Sequence, residues 1–124
     1  MNSTFGKHII IELYGATYES LNDIQQLTSI LEEAITLAGA TLINKLQYKF
    51  SPQGVSMIFL LAESHLSIHT WPEQSYAAID MYTCGKCDPY KAFEYIATKL
   101  HAKDSKYLIL ERGKIKEEQQ LGSC

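Results

Sequence analysis

His8 to Tyr14 (HIIIELY) is short, apolar and rich in β-branched residues, a pattern that favours a buried strand over a helix. From Leu21 the period changes. Apolar residues recur at Leu21, Ile24, Leu27, Leu31, Ala34, Ile35 and Ala38, the stripe of an amphipathic helix, with Ser20 placed to cap its start and Gly39 to stop it. Leu46, Tyr48 and Phe50 then alternate with Lys45, Gln47 and Lys49 as in a half-buried strand, and Ser51-Pro52-Gln53-Gly54 supplies the turn of a hairpin. Val55 to Ala62 is the returning strand, followed across short connections by His65 to Trp71 and Tyr76 to Cys84. Asp88 caps a second helix, with Pro89 in its first turn and Phe93, Ile96, Ala97 and Leu100 on one face. Lys106 to Arg112 reads as a last strand, and the polar, aperiodic final dozen residues as a frayed tail.

The order β-α-β-β-β-β-α-β, with a run of strands between two helices, predicts an α/β fold of the α+β kind. It is a two-layer sandwich, a mostly antiparallel sheet with both helices on one face. Several strands carry apolar residues on both faces. The uncovered face is therefore expected to meet a second sheet in a dimer.

Composition narrows the functional classes. At 124 residues, with 46% hydrophobic and 20% charged positions, the chain builds one domain over residues 1–124 and too little core for two. The longest apolar run, Met57 to Ala62, falls far short of the roughly 20 residues of a membrane-spanning helix. Arg112 is the single arginine beside ten scattered lysines, a poor supply for tracking phosphates, so nucleic acid is not an expected partner. An odd count of three cysteines, without an export signal, points to reduced thiols in the cytoplasm. The net charge of −3 lies wholly in residues 1–63, and residues 64–124 balance to zero.

Reactive side chains crowd into Glu63-Ser64-His65-Leu66-Ser67-Ile68-His69-Thr70-Trp71-Pro72-Glu73, with Thr83-Cys84-Gly85 after the next strand. Local chemistry offers two readings. His65, His69 and the Cys84-Gly85-Lys86-Cys87 pair are nominal zinc ligands, but in a strand the two histidines stand about 13 Å apart, too far for one tetrahedral ion. The other reading makes the histidines hydrogen-bonded or surface residues and the cysteines small hydrophobes.

The whole string, ESHLSIHTWPE and then TCG, resembles the signature of the short bacterial and archaeal S-adenosylmethionine decarboxylases. The resemblance continues through Gly6-Lys7-His8, Phe50 to Ser56 (FSPQGVS), Tyr76 to Asp80 (YAAID), Pro89 to Phe93 (PYKAF) and Glu111-Arg112-Gly113, in order and over nearly the full chain. It implies a proenzyme that cuts itself between Glu63 and Ser64 into chains 1–63 and 64–124. The Ser64 hydroxyl attacks the preceding carbonyl, an N-to-O acyl shift gives an ester, and elimination followed by loss of ammonia leaves a pyruvoyl group. His69 maps onto the base of that elimination, suited by an imidazole pKa near neutrality. Ser56 maps onto a residue that assists processing. The pyruvoyl is the cofactor, forming a Schiff base with the substrate amine, and no metal is implied. Cys84 matches the proton donor to the substrate carbon after carbon dioxide leaves.

The resemblance also implies how substrate is held. Phe50 maps onto an aromatic against the adenosyl group and its sulfonium, and Glu73 onto an acid that binds ribose hydroxyls. Leu66 and Trp71 are expected to shape the pocket. The product is the aminopropyl donor for spermidine synthesis, and the working form is a dimer of cleaved protomers, two of each chain, with sites built from both. Relatives with the same self-processing core act on arginine or ornithine, which the cleavage motif alone does not separate. An unprocessed, non-catalytic paralogue is disfavoured because Ser64, His69 and Cys84 are all present. Cys87 and Cys124 have no role in this reading.

Overall fold

Helix starts in this chain are decided by side chains that accept backbone N–H groups. In the computed structural model, which describes residues 5–113, α1 (Tyr18–Leu21) is a single turn capped by Thr17, and α2 (Ile24–Leu37) starts afresh with the Asp23 carboxylate accepting from Gln26 N–H at 3.1 Å. The expected cap at Ser20 is thus corrected. Leu21 does enter the core, but Asn22 breaks the helix there and turns its side-chain oxygen to the Gly54 N–H at 2.9 Å. For α3 (Pro89–Lys99) the sequence reading holds: Asp88 accepts from Tyr90 N–H at 3.1 Å and Pro89 opens the helix. The tail expected to fray lies, from residue 114 on, outside the described residues.

Among the described residues the strands are β1 (Gly6–Tyr14), β2 (Leu42–Lys49), β3 (Val55–Leu61), β4 (Ser64–Trp71), β5 (Tyr76–Cys84) and β6 (Asp104–Arg112). They form one antiparallel sheet in the order β2-β3-β4-β5-β1-β6. The first strand therefore lies inside the sheet, between the last two.

Alternation along each strand divides the sheet into two unlike faces. One is filled: Ile9, Ile11, Leu13, Val55, Met57, Phe59, Leu66, Ile68, Ile79 and Met81 are buried against Leu27, Leu31, Ile35 and Ile96 of the helices. Among the described residues the other carries no helix. Leu46 pairs with Ile58 across β2 and β3, and the two are 69% and 53% exposed; Leu60, Ile10, Leu108 and Leu110 extend the same apolar surface. Leu46 and Tyr48 do alternate with lysines as the sequence indicates, but they point to the open face, and the lysine side turns toward α2, where Lys45 reaches Glu32 at 2.6 Å. Half-burial of β2 is thus corrected for a single chain.

Candidate active site

The predicted residues gather at the two ends of β4. At its C-terminal end Ser56 pairs with His69 across β3 and β4, and Ser56 Oγ lies 2.8 Å from His69 Nδ1. Phe50, Gln53, Trp71 and Glu73 join this pair around a cavity of about 360 Å³. The loop that carries Phe50 is closed by its own backbone, with Phe50 N–H donating to Gly54 O at 2.8 Å. Gly54 has φ of 111°, a setting that L side chains rarely adopt, so glycine is required at this corner. Trp71 lies tilted against Tyr76 with ring centroids 5.4 Å apart, and Tyr76 stacks on Tyr14 at 5.5 Å, an aromatic row across three strands beside the cavity. The Tyr76 hydroxyl donates to Glu12, and that hydrogen bond, then burial and the Glu12 charge, push its pKa up to about 12.

Thr70 locks this end from behind. It is buried on the helix side, accepts from Val55 N–H at 2.9 Å and donates to Leu21 O at 2.8 Å. Together with Asn22 it ties α1 to the start of β3, and so fixes the strand that presents Ser56. Sequence reasoning missed both residues. A polar residue at a core position of an alternating strand was a legible signal for Thr70; nothing local marked Asn22.

At the N-terminal end of β4, Leu61 pairs with Ser64, so the Glu63–Ser64 bond lies at the tip of the β3–β4 hairpin. Ser64 has φ of 156°, uncommon for a non-glycine residue. Thr41 holds the tip, accepting from Ala62 N–H at 2.9 Å and donating its own N–H to the Glu63 carboxylate at 3.0 Å. The register His65↔Tyr82 sets Ser64 beside Thr83, one residue from Cys84. Cys84 faces Gly6 across β5 and β1, where a Cβ would collide with the Thr83 carbonyl. Cys87, left without a role by the sequence, stands at the same end, its Sγ 3.4 Å from Gly39 O.

Within one chain these two ends are apart. Five residues of strand put His69 about 16 Å from Ser64. The Leu66 side chain is fully buried on the helix face, opposite to His69, and does not line this cavity. The four nominal zinc ligands are likewise not brought together, because His69 engages Ser56 while His65 engages Asp80.

Mid-strand on the open face, His8 and His65 both bond Asp80 Oδ2 through Nε2, at 2.7 and 2.8 Å, and Ser67 donates to Oδ1. Burial pushes the Asp80 pKa up, but the hydrogen bonds from Ser67, His65 and His8 outweigh it and hold the carboxyl below its ordinary value. These ligand atoms could surround a cation. However, the Arg112 guanidinium lies 3.3 Å from His8 Nδ1 and stacks over Tyr82 at 4.7 Å. Its charge opposes a second cation there, and its N–H occupies the nitrogen through which a metal-bound histidine normally donates.

Residues 7–113 match the family model described as S-adenosylmethionine decarboxylase. The chain belongs to the S-adenosylmethionine decarboxylase family. It is 44% identical over 115 residues to the S-adenosylmethionine decarboxylase proenzyme of Moorella thermoacetica, covering 92% of each chain. It is 42% identical over 121 residues to the proenzyme of Aquifex aeolicus, covering 95% of this chain and 88% of that one. The crystal structure of adenosylmethionine decarboxylase from Aquifex aeolicus superposes with a TM-score of 0.85 at 40% identity, over 95% of this chain and 98% of that chain. The α+β sandwich is therefore that of an S-adenosylmethionine decarboxylase. Among the described residues no helix is long and apolar enough to cross a membrane.

Proposed function

We propose that the chain is a self-cleaving proenzyme whose product decarboxylates S-adenosylmethionine, supplying the aminopropyl donor for spermidine synthesis, and that each site is shared between two copies. The observation that carries the shared site is the separation of Ser64 from the Ser56–His69 pair along β4. A two-fold axis lying between two open faces and running across the strands reverses strand direction. It sets one protomer's Ser64–Cys84 end over the other's Ser56–His69 end, at the spacing of about 10 Å between stacked sheets. The apolar Leu46, Ile58, Leu60, Leu108 and Leu110 would be covered in the same step.

Ser64 suits the acyl shift because it follows a two-residue turn: the Glu63 carbonyl can pass from nitrogen to Oγ without dismantling the ladder. His69, oriented by Ser56, takes the Ser64 α-proton in the elimination. The pyruvoyl left at position 64 supplies a ketone that holds the substrate amine and accepts the electron pair released with carbon dioxide. Cys84, one residue from Ser64 across the β4–β5 ladder, returns a proton to the substrate carbon. Phe50 and Trp71 hold the adenine and sulfonium, and Glu73 the ribose. Arginine or ornithine as substrate is not favoured, since the relatives are named for S-adenosylmethionine.

Trans-complementation tests the shared site. Ser64→Ala and His69→Ala, each expressed alone, leave the chain uncut. Co-expressed with different tags, they form some dimers in which the intact His69 of one copy faces the intact Ser64 of the other. The His69→Ala chain is then cleaved and the Ser64→Ala chain is not. No cleavage in the mixture, with both variants folded and dimeric, would sink the shared site.

A further inference from the structure

The Cys84-Gly85-Lys86-Cys87 segment is the one motif that the proposed chemistry uses by half. β5 ends at Cys84, Gly85 and Lys86 form an exposed turn, and Cys87 precedes the Asp88 cap of α3. We infer that Cys84 and Cys87 are a reversible disulfide site, closed by peroxides, which stops decarboxylation while leaving self-cleavage intact. A four-residue turn brings its first and last Cα within about 7 Å, and a disulfide spans roughly 4.4 to 6.8 Å. Gly85, with φ of 68°, takes the left-handed conformation that reverses the chain between the two cysteines. Both thiols are partly exposed, and closure gives up a single weak hydrogen bond, Cys87 Sγ to Gly39 O at 3.4 Å. Burial, and then the nearby Glu63 and Cys84, push the Cys87 pKa up. Cys87 must lose its proton before it can attack, so closure is faster as pH rises.

In the first step the Cys84 sulfur, as thiolate, takes one oxygen from hydrogen peroxide; the O–O bond breaks and the other oxygen leaves as water once protonated. The Cys87 sulfur loses its proton and attacks the Cys84 sulfur. The S–S bond forms, the S–O bond breaks, and hydroxide leaves as a second water. Two thiols have given up two electrons and peroxide has accepted them. Cys84 then has no S–H proton to return to the substrate carbon, whereas Ser56, Ser64 and His69 are untouched.

The consequence for activity rests on Cys84 being the donor; the disulfide does not, so the test reads the two separately. Full-length chain with Cys124→Ser, and the same chain with Cys87→Ser added, are allowed to process and are then titrated with hydrogen peroxide. The expected result for the first is a peptide spanning residues 84–87 that is about 2 Da lighter, the mass of two lost hydrogens. Activity falls in proportion and returns with dithiothreitol. The Cys87→Ser chain processes and works before oxidation, then gains oxygen at Cys84 and forms no bridge. Absence of the lighter peptide while Cys84 is oxidised, or identical behaviour of the two chains, overturns the inference. A bridge that forms and reverses without changing the activity would instead count against Cys84 as donor.

Discussion

The two ends of β4 are built on opposite principles. The C-terminal end is furnished: Ser56 and His69 are already hydrogen-bonded, Phe50, Trp71 and Glu73 surround a cavity, and buried Thr70 anchors the strand behind them. The N-terminal end is a hairpin tip that carries Ser64 and, one residue away across the next ladder, Cys84. Under the proposed mechanism the first end holds substrate and the processing base, and the second carries the groups that bond to substrate and return its proton. Under the proposed function a two-fold assembly with reversed strands joins the two ends, each copy supplying one of them to its partner's site.

The largest expected effect falls on the reacting end. On the proposed mechanism, Cys84→Ala removes the proton donor from decarboxylation but no group from cleavage. The variant should process at the ordinary rate while decarboxylation drops by roughly 10²- to 10⁴-fold, the usual worth of a general acid. Mass spectrometry of the processed chains beside release of labelled carbon dioxide separates the two steps. A variant that fails to cleave would blur the contrast between the ends.

The furnished end should respond less sharply. Thr70→Val leaves Val55 N–H and Leu21 O without their partner, and each unsatisfied buried group costs about 1–3 kcal/mol. The urea midpoint should fall with the slope unchanged, and cleavage should slow as the strand carrying Ser56 loosens. Thr70→Ser, which keeps the hydroxyl, should restore both. An equal loss in Thr70→Ser would assign the effect to the missing methyl and not to the hydrogen bonds.

What the sequence made legible follows the same divide. The succession of strands and helices along the chain, the Asp88-capped helix and both chemical motifs could be read because each depends on local period or on a contiguous string. The start of α2 could not, because Asp23 rather than Ser20 caps it, and the reason is a long-range bond from Asn22 to Gly54. Leu46 and Tyr48 show the limit of periodicity: alternation says that two faces differ, not which one the helices cover. Leu66 stands off the cavity for a related reason. A string motif treats neighbours alike, whereas a strand sends Leu66 and His65 to opposite faces. Ser64 and His69 share one short motif, yet the strand sets them far apart in one chain, by the same rise per residue that separates His65 from His69.

Between the two ends lies the Asp80 cluster, and it gives the smallest effect. Its carboxyl titrates below the ordinary carboxylate value in the folded chain because Ser67, His65 and His8 together outweigh the burial that would raise it. The unfolded chain, with an Asp pKa of about 3.9, therefore binds its proton at higher pH than the folded chain does. Stability from this group is complete above that unfolded value and is lost as pH falls through the lower folded one. Asp80→Asn abolishes the contribution: the variant should be less stable at neutral pH, and its stability should decline less than that of the parent on acidification below pH about 4. Urea unfolding at a series of pH values reads the difference, and parallel curves would show that the cluster is not linked to folding. The position of the cluster on the uncovered face adds a second readout. If the open faces stack, its hydrogen bonds are shielded from salt by the partner sheet, and the stability difference between Asp80→Asn and the parent should survive high salt; a difference that vanishes there would mean that the face stays in water.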